Sequence, residues 1–218
     1  MTSMALRRLP QSVYNAQITG GSLLVPESQV IAGLMLTGVH ENLARWQKAI
    51  RDDNVLQKRS WHSADRMAGL IRNRLLLLDA DGWRLISRGS REVRVQMVLG
   101  SALLHSRLLR DFLTEIVWPK HRRFEKTLEI SDWTVFFAEC VHRDPNLAEL
   151  SPSTVRKLRE VAFRVLIEAG LVSSTRALQV SPITLAPSVA AYFEARSHRD
   201  IVKAIDPMQA GPTQTGSR

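Results

Sequence analysis

The stretch "STVRKLREVAFRVLIEAGLV", residues Ser153–Val172, predicts the fold of this chain most clearly. Ser151-Pro152 precedes it as a strong helix start, a capping side chain followed by proline at the first helical position. Apolar residues then repeat at helical spacing, namely Val155, Leu158, Ala162, Val165, Leu166 and Ala169. Gly170 supplies the left-handed residue that ends a helix. Four basic residues among the first twelve leave two interpretations, a nucleic-acid reader or a core helix with one wet side.

The rest of the chain is also predicted to be mainly α-helical. Helices are expected at Pro26–Met35, His40–Asp52, Ser63–Leu78, Arg91–Trp118 with a bend near Arg110, Asp132–His142 and Pro187–Ile205. Two regions resemble strands. Trp83–Ile86 alternates after the turn signal Asp81-Gly82, and "LVSSTRALQVSPITL" predicts two short strands with a turn at Thr175-Arg176. Pro119 predicts a helix break.

The order of these elements predicts a helical bundle with two helix-turn-helix or winged-helix-like parts and minor β hairpins. In such modules one helix enters a groove of DNA and a hairpin grips the backbone. Residues 1–88 form the first predicted part and residues 132–205 the second. Residues 89–131 are expected to be connecting helices packed on both, and residues 206–218 a disordered tail by composition.

The charge of the chain points to an anionic partner. Thirty Lys and Arg against twenty-one Asp and Glu give a net charge of +9 over 218 residues. Such a surface attracts nucleic acid, acidic lipid or an acidic protein. A helix that spans a membrane needs roughly 20 mainly apolar residues, and no segment of the sequence meets this requirement. No signal peptide is visible. With a single cysteine, Cys140, the sequence favours a cytoplasmic protein without a membrane anchor.

The first candidate DNA site surrounds the predicted helix at Ser63–Leu78. Its members are basic or hydrogen-bonding residues: Lys58, Arg59, Ser60, Ser63, Arg66, Arg72, Asn73 and Arg74. On a helical wheel Arg66, Gly69 and Asn73 share an outward edge, where the glycine would let a groove wall come close. The alternative is a solvated face whose arginine stems cover apolar surface.

The second candidate site is the start of the stretch quoted first. Arg156, Lys157 and Arg159 are expected to meet DNA phosphates there. The spacing of Arg156–Glu160 and Arg164–Glu168 predicts two i,i+4 ion pairs that partly neutralise the helix. This helix is therefore expected to be mostly a core helix whose first turn contacts phosphate.

The third candidate site is the densest basic run, next to Pro119. Lys120, Arg122 and Arg123 carry it, together with His121 and Lys126. A run of this kind is suited to sequence-independent phosphate binding, although many such runs are only solvated.

Signals for catalysis are weak. The sequence has no glycine-rich phosphate loop with its lysine, no pair of metal-spaced cysteines and no two-histidine motif on one helix face. We therefore expect no enzymatic activity, no metal and no cofactor.

The segment "VYNAQITGGSLLVPESQVIAGLMLTG" resembles the opening of the BrxA family, components of the BREX bacteriophage-exclusion systems. The resemblance is carried by Tyr14, Gly21, Leu23, Leu24, Glu27 and Ser28. It continues through "LQKRSWHSADRMAGLIRNRLLLLDADGWRLISRGS", "LLRDFLTEIVW" and "LSPSTVRKLREVAFRVLIEAGLV", and so covers the chain to about Ile205.

This resemblance implies a small, helical, non-enzymatic protein that binds DNA and supports host methylation and phage restriction by its partner proteins. The candidate contact residues come from charge, not from a family motif. We expect binding to double-stranded DNA mainly through phosphates, with little sequence preference, and contact with other BREX proteins. Two alternatives stay open: an adaptor module whose basic face meets an acidic partner protein, and a sequence-specific transcriptional regulator with a palindromic site and a stable dimer.

Overall fold

The structure, a computed structural model, describes residues 14–15, 17–173 and 178–208. It confirms that the protein is mainly α. The helices are α1 Val25–Leu36, α2 Leu43–Gln47, α3 Trp61–Leu75, α4 Ala80–Arg88, α5 Arg91–His105, α6 Arg107–Phe112, α7 Trp118–Arg122, α8 Ile130–Arg143, α9 Pro152–Glu168, α10 Pro187–Ala195 and α11 Arg199–Ile205. Shorter 3₁₀ turns cover Gln17–Gly20, Val39–Glu41 and Pro145–Glu149, and π turns cover Lys48–Asp52 and Leu113–Val117.

Helix α9 begins and ends where the sequence predicts. The Ser151 side chain accepts a hydrogen bond from the Thr154 N–H at 3.2 Å, which caps the first turn. At the other end Gly170 has a φ of +78°. The Leu171 N–H then donates to the Leu166 carbonyl at 2.9 Å and the Gly170 N–H to Ile167 at 3.0 Å. These two bonds form a Schellman motif, which satisfies the last free carbonyls of the helix.

The predicted strand at Trp83–Ile86 is wrong, because this segment lies inside helix α4. The Asp79 side chain accepts hydrogen bonds from the Asp81 and Gly82 N–H groups at 3.0 and 3.2 Å, and so caps the helix. Gly82 is not a turn residue. A Cβ atom added there would lie 2.6 Å from the Tyr192 hydroxyl, so a glycine allows α10 to pack closely.

The predicted long helix from Arg91 to Trp118 is interrupted at a different place. The chain leaves helical geometry at Ser106, whose side chain caps α6 by accepting from the Leu109 N–H at 3.3 Å. Pro119 does not break the helix as predicted, since α7 continues through this residue to Arg122. The π turn at Leu113–Val117 precedes this proline, and its wider turn accommodates the ring where an α-helix would clash with the carbonyl four residues earlier.

The predicted hairpin is reduced to isolated antiparallel bridges. Val172 pairs with Val180, and Gln179 pairs with Thr127 on its other side. The segment around residues 178–180 therefore lies between residues 171–173 and 126–128, with no regular strand in the described part of the chain. The predicted turn at Thr175-Arg176 lies outside the described residues.

One continuous apolar cluster extends from Tyr14 to Ile205. Helix α5 is central, with contacts to α1, α3, α4, α6, α10 and α11. The largest aromatic group joins α6, α8 and α9, where the Phe112 ring lies 4.9 Å from Trp133 and 5.8 Å from Phe163 between centroids. The division at residues 88 and 131 stays a prediction, as does the helix-turn-helix or winged-helix detail.

Both ends of the described chain are tied to this core. The Leu23 N–H donates to the Glu168 carboxylate at 2.8 Å, and the Tyr14 hydroxyl donates to Asp111 at 2.9 Å. Asp206, at the start of the predicted tail, is buried and accepts from the Leu185 N–H at 3.0 Å. The packed structure thus extends past the predicted boundary at residue 206, and residues 209–218 lie outside the described residues.

Candidate nucleic-acid interface

The outward edge predicted for α3 is present. Arg66 and Asn73 are exposed, and a Cβ atom added to Gly69 would meet no atom within 4 Å. Because Gly69 is in a helix interior with open space beside it, neither packing nor backbone geometry of this chain explains a glycine there. The edge is therefore free for a ligand.

Arg74, predicted as a DNA contact, is instead a core residue. It is 1% exposed, and its guanidinium donates to the Ser22 carbonyl at 2.7 Å and to the Gly21 carbonyl at 3.4 Å. Desolvation lowers the pKa of Arg74 to about 10, against the opposing charge of Glu168. Because Arg74 lies on the inner face of α3, it is not part of the candidate interface.

Arg72 is only partly available. Its guanidinium donates to the His40 carbonyl at 3.1 Å and lies 5.7 Å from the centre of the Trp46 ring. The Arg72 side chain therefore holds α3 against α2. This agrees with the alternative interpretation, in which arginine stems cover apolar surface.

The residues that precede α3 are divided in the same way. Lys58 forms an ion pair with Glu27 at 2.7 Å, whereas Arg59 and Ser60 are exposed and Ser63 is half-buried. The Ser60 side chain makes no capping hydrogen bond. Trp61, absent from the predicted site, is 52% exposed beside Arg59. Arg59, Ser60 and the first turn of α3 therefore form a continuous exposed surface.

On α9 the predicted ion pairs are wrong. Glu168 instead accepts a hydrogen bond from the Leu23 N–H, and within the described residues no ion pair joins Arg156 to Glu160 or Arg164 to Glu168. Arg156, Lys157 and Arg164 are exposed, and Arg159 is half-buried. The positive charge of this helix is thus less neutralised than the sequence spacing predicts.

Lys120 is the second predicted contact that the structure removes. Its side chain is 12% exposed, 2.8 Å from Asp132 and 3.6 Å from Glu125. Desolvation lowers the pKa of Lys120, but Asp132 and Glu125 outweigh it and raise the pKa overall. Arg123 also pairs with Glu125, at 2.8 Å. Of the three residues predicted here, Arg122 is the one both exposed and without an ion pair in the described structure.

The described residues contain no group of three or more His, Cys, Asp or Glu placed to hold a metal ion. Cys140 is buried, and desolvation raises the pKa of its thiol to about 11. Among the described helices none has both the length and the apolar character needed to cross a membrane.

The predicted site residues therefore fall into two groups. Arg74 and Lys120 are withdrawn into the protein, while cations on α3 and α9 face solvent. Both helices contact the 3₁₀ turn at Gln17–Gly20, which lies between them. Arg164 was missed because its spacing from Glu168 predicts a pair. Local sequence contains no signal for the hydrogen bond from Leu23 that engages this carboxylate.

The fold and this surface define a small, mainly helical protein with unpaired cations turned to solvent on two helices. A family model described as BrxA matches residues 12–197. A protein of Paramagnetospirillum magneticum named BREX protein BrxA is 35% identical over 192 residues, which cover 88% of this chain and 96% of the relative. The chain therefore belongs to the BrxA family.

Other relatives agree with this assignment. The BREX protein BrxA of Escherichia coli O9:H4 is 34% identical and covers 87% of this chain and 88% of its own. A solved structure, titled as the crystal structure of an uncharacterized protein from Magnetospirillum magneticum, has a TM-score of 0.81 at 34% identity. It covers 88% of this chain and 98% of its own. The helical arrangement described above is thus similar to an experimental one.

Proposed function

We propose that this protein is a non-catalytic, double-stranded-DNA-binding component of a BREX phage-defence system. It binds mainly through phosphates, with little sequence preference, and supports host methylation and phage restriction. The observation that carries the proposal is the exposed, unpaired set of Arg156, Lys157 and Arg164 on α9. In a chain with a net charge of +9, such a helix attracts a polyanion.

The surroundings of α9 support this assignment. Helix α8 precedes it, and the bridged segments at residues 171–173 and 178–180 follow it. In a winged-helix module the order is helix, helix, hairpin, where the second helix approaches a groove and the hairpin contacts the backbone. Here isolated antiparallel bridges stand in the place of the hairpin. Ser153, exposed in the first turn of α9 beside the capping Ser151, has a hydroxyl group of the kind that contacts phosphate oxygens.

Helix α3 supplies a second contact in this proposal. Arg59 and Arg66 provide the positive charge, and Asn73 lies on the same outward edge as Arg66. Gly69 between them leaves room for a groove wall. Arginine and asparagine are the residue types that bind guanine and adenine edges, so any modest sequence preference would come from this helix.

Partners of the protein follow from its family. Relatives named as BREX proteins support a role beside other BREX proteins in the cytoplasm, where DNA and methylation are found. The protein itself contributes binding, and chemistry belongs to its partners.

Fluorescence anisotropy tests the proposal with two unrelated duplexes and a matched single strand at three salt concentrations. We expect similar affinity for both duplexes. If roughly 5–8 phosphates are neutralised, affinity falls steeply between low and physiological salt. Binding to neither duplex at low salt would overturn the proposal. A preference of more than about a hundredfold for one duplex would instead favour the transcriptional regulator.

A further inference from the structure

Helix α3 is followed by two exposed leucines. Leu76 is 45% exposed and Leu77 47%, whereas Leu75 and Leu78 on either side of them are buried. The helical turn continues across the pair, since the Leu76 N–H donates to the Arg72 carbonyl at 2.9 Å. Two adjacent apolar side chains therefore project into solvent from the end of the helix.

These leucines continue the outward edge of α3. Residues three or four apart are neighbours on a helix surface, and such steps lead from Arg66 to Gly69, from Gly69 to Asn73 and from Asn73 to the leucine pair. Arg66 and Asn73 are exposed, and a Cβ atom added to Gly69 would meet no atom within 4 Å. We call these five residues the α3 ridge. It presents a cation, an amide and two apolar side chains on one continuous surface.

The turn that carries the leucines is fixed to the core. The Trp83 indole N–H donates to the Leu75 carbonyl at 2.7 Å, and the Asp79 N–H donates to the Tyr192 hydroxyl at 3.2 Å. Leu75 and Leu78 are themselves buried. Because the turn is held on both sides, the exposed pair is preorganised and loses little freedom when it meets a ligand.

The carboxylates closest in sequence to the ridge are both paired. Asp65, next to Arg66, accepts a hydrogen bond from the Arg51 Nε at 2.9 Å. Asp79, just beyond the leucines, accepts one from the Arg196 Nε at 2.7 Å. Arg66 makes no ion pair within the described residues. The ridge thus keeps one free positive charge, and no unpaired carboxylate adjoins it along the chain.

The segment beside α3 does not change this balance. Arg72 donates to the His40 carbonyl at 3.1 Å, which brings residues 40–46 close to the helix. This segment contains one carboxylate, Glu41, and one cation, Arg45, and both are exposed. Its net charge is therefore zero, and it does not repel a polyanion from the ridge.

The apolar end of the ridge needs a different surface of DNA from the cation. A leucine side chain gains nothing from a phosphate group. On a duplex, apolar surface lies on the faces of the stacked bases, and proteins reach it by inserting Phe, Leu, Ile, Met or Pro between base steps from the minor groove. Arginine and asparagine are among the side chains that accompany such wedges in that groove. The α3 ridge has both kinds of side chain in one line.

We propose that Leu76 and Leu77 enter the minor groove of duplex DNA, separate neighbouring base pairs there and bend the duplex. The inference rests on the proposed function and specifies how α3 contributes to it. Arg66 and Asn73 line the same groove, and the open side of Gly69 accommodates its wall. A protein partner is the competing occupant of the leucines, but it leaves the cation and the open glycine of the same ridge without a role.

Fluorescence energy transfer tests the bend. A duplex of about 20 base pairs carries a donor and an acceptor dye at opposite ends, and the full chain is added until anisotropy shows saturation. Wedges of this kind bend a duplex by roughly 20–90°. The dyes then lie closer together, so we expect transfer to rise with the wild-type protein. Saturation without a rise would overturn the inference.

Three variants show whether the leucines cause the bend. Leu76→Ala with Leu77→Ala removes the wedge but keeps good helix formers, so the rise in transfer should fall by at least about half. Leu76→Met with Leu77→Met keeps flexible apolar side chains and should retain the rise. Leu43→Ala, at a position on α2 that is 71% exposed, is the matched control and should also retain it. An alanine variant that is folded by circular dichroism and bends DNA like the wild type would contradict the inference.

A duplex with a central mismatch gives an independent readout. Unstacking costs least at a mismatched base, so the wild-type protein should bind this duplex at least about fivefold more tightly than the matched one. The alanine variant should bind both with equal affinity, because it separates no bases. Equal affinity of the wild-type protein for both duplexes would show that no base step is opened.

The proposed function and this inference fail in different ways. If the wild-type protein binds no duplex at low salt, the proposed function is wrong and the inference falls with it. If it binds duplexes in a salt-dependent way, but neither bends them nor prefers the mismatch, only the inference is wrong. The leucine pair then belongs to a contact with protein.

Discussion

Helices α3 and α9 have similar basic sequences but use their cations differently. In α3, Arg74 is buried against backbone carbonyls and Arg72 braces a tryptophan, which leaves Arg66 free. In α9, Arg156 and Lys157 are both exposed and unpaired. The comparison teaches that the residue type alone does not define a binding surface. The angular position on the helix and the first carbonyl or carboxylate within reach decide whether a cation is structural or available.

Replacement of the buried arginine should give the largest effect. Arg74→Met leaves the Gly21 and Ser22 carbonyls without their donor, so we expect the free energy of unfolding to fall by about 2–4 kcal/mol. Urea unfolding followed by circular dichroism measures it. Arg164→Met on α9 is the matched control and should change stability by less than about 0.5 kcal/mol. Equal effects of the two changes would contradict the contrast between the helices.

Charge reversal compares the two exposed surfaces directly. Arg156→Glu with Lys157→Glu on α9 should weaken duplex binding more than tenfold at low salt, because attraction to phosphate becomes repulsion. Arg59→Glu with Arg66→Glu should weaken it less, since α3 presents fewer free cations. Anisotropy titrations give both affinities.

The control for these reversals carries the same change of net charge elsewhere. Arg88→Glu with Lys203→Glu alters two exposed residues on α4 and α11. A loss of affinity as large as that of the α9 variant would mean that total charge, and not the α9 face, governs binding.

Two glycine substitutions compare the backbone conformation of α3 with that at the end of α9. Gly69→Ala in the open middle of α3 should raise the free energy of unfolding by about 0.5–1 kcal/mol, because alanine favours helix. Gly170→Ala after α9 should lower it by about 1 kcal/mol, since its φ is +78°. Thermal unfolding measures both. If Gly69→Ala also weakens DNA binding, the groove wall approaches α3 closely; stabilisation without loss of affinity would place α3 further from DNA.

The smallest effect concerns pH. Desolvation, followed by the charge of Arg74, lowers the pKa of the half-buried His105 below its usual value of 6.5. Below pH 6.5 the unfolded chain therefore binds a proton that the folded chain resists, so stability falls as the pH falls. His105→Leu should flatten this dependence between pH 7.5 and 5.5 in urea unfolding. An unchanged slope would show that His105 does not contribute to it.

Local signals predicted the parts of the fold that depend on local contacts. The limits of α9 follow from Ser151, Pro152 and Gly170, all adjacent to the helix that they start or end. The segment Trp83–Ile86 was wrongly predicted as a strand because Asp81-Gly82 was interpreted as a turn, although Asp79 caps a helix there. Only the close packing of Tyr192 on Gly82 depends on a distant part of the chain. Ser106, where the helix breaks, is only a weak capping signal within a continuous apolar pattern. Tertiary packing is needed to place the break there.

The candidate site shows the same limit. Sequence identified Arg156 and Lys157 among the exposed cations of α9, because the polar face of an amphipathic helix is visible in the pattern, but it missed Arg164. It could not show that Arg74 reaches Ser22 or that Lys120 reaches Asp132, since both contacts require the folded chain. The net charge and the exposed face of a helix are therefore predictable from sequence, whereas the hydrogen-bond or ion-pair partner of each charged side chain is not.

The ties of the N-terminal segment bear on the order in which the chain folds during synthesis. Tyr14 donates its N–H to Asp144, and Leu23 donates to Glu168, so the partners of the earliest residues are made late. A nascent chain that ends before α9 has no acceptor for Leu23. These two bonds can therefore form only after the chain has reached Asp144 and Glu168, whereas Arg74 of α3 can hold the same segment earlier through the Gly21 and Ser22 carbonyls.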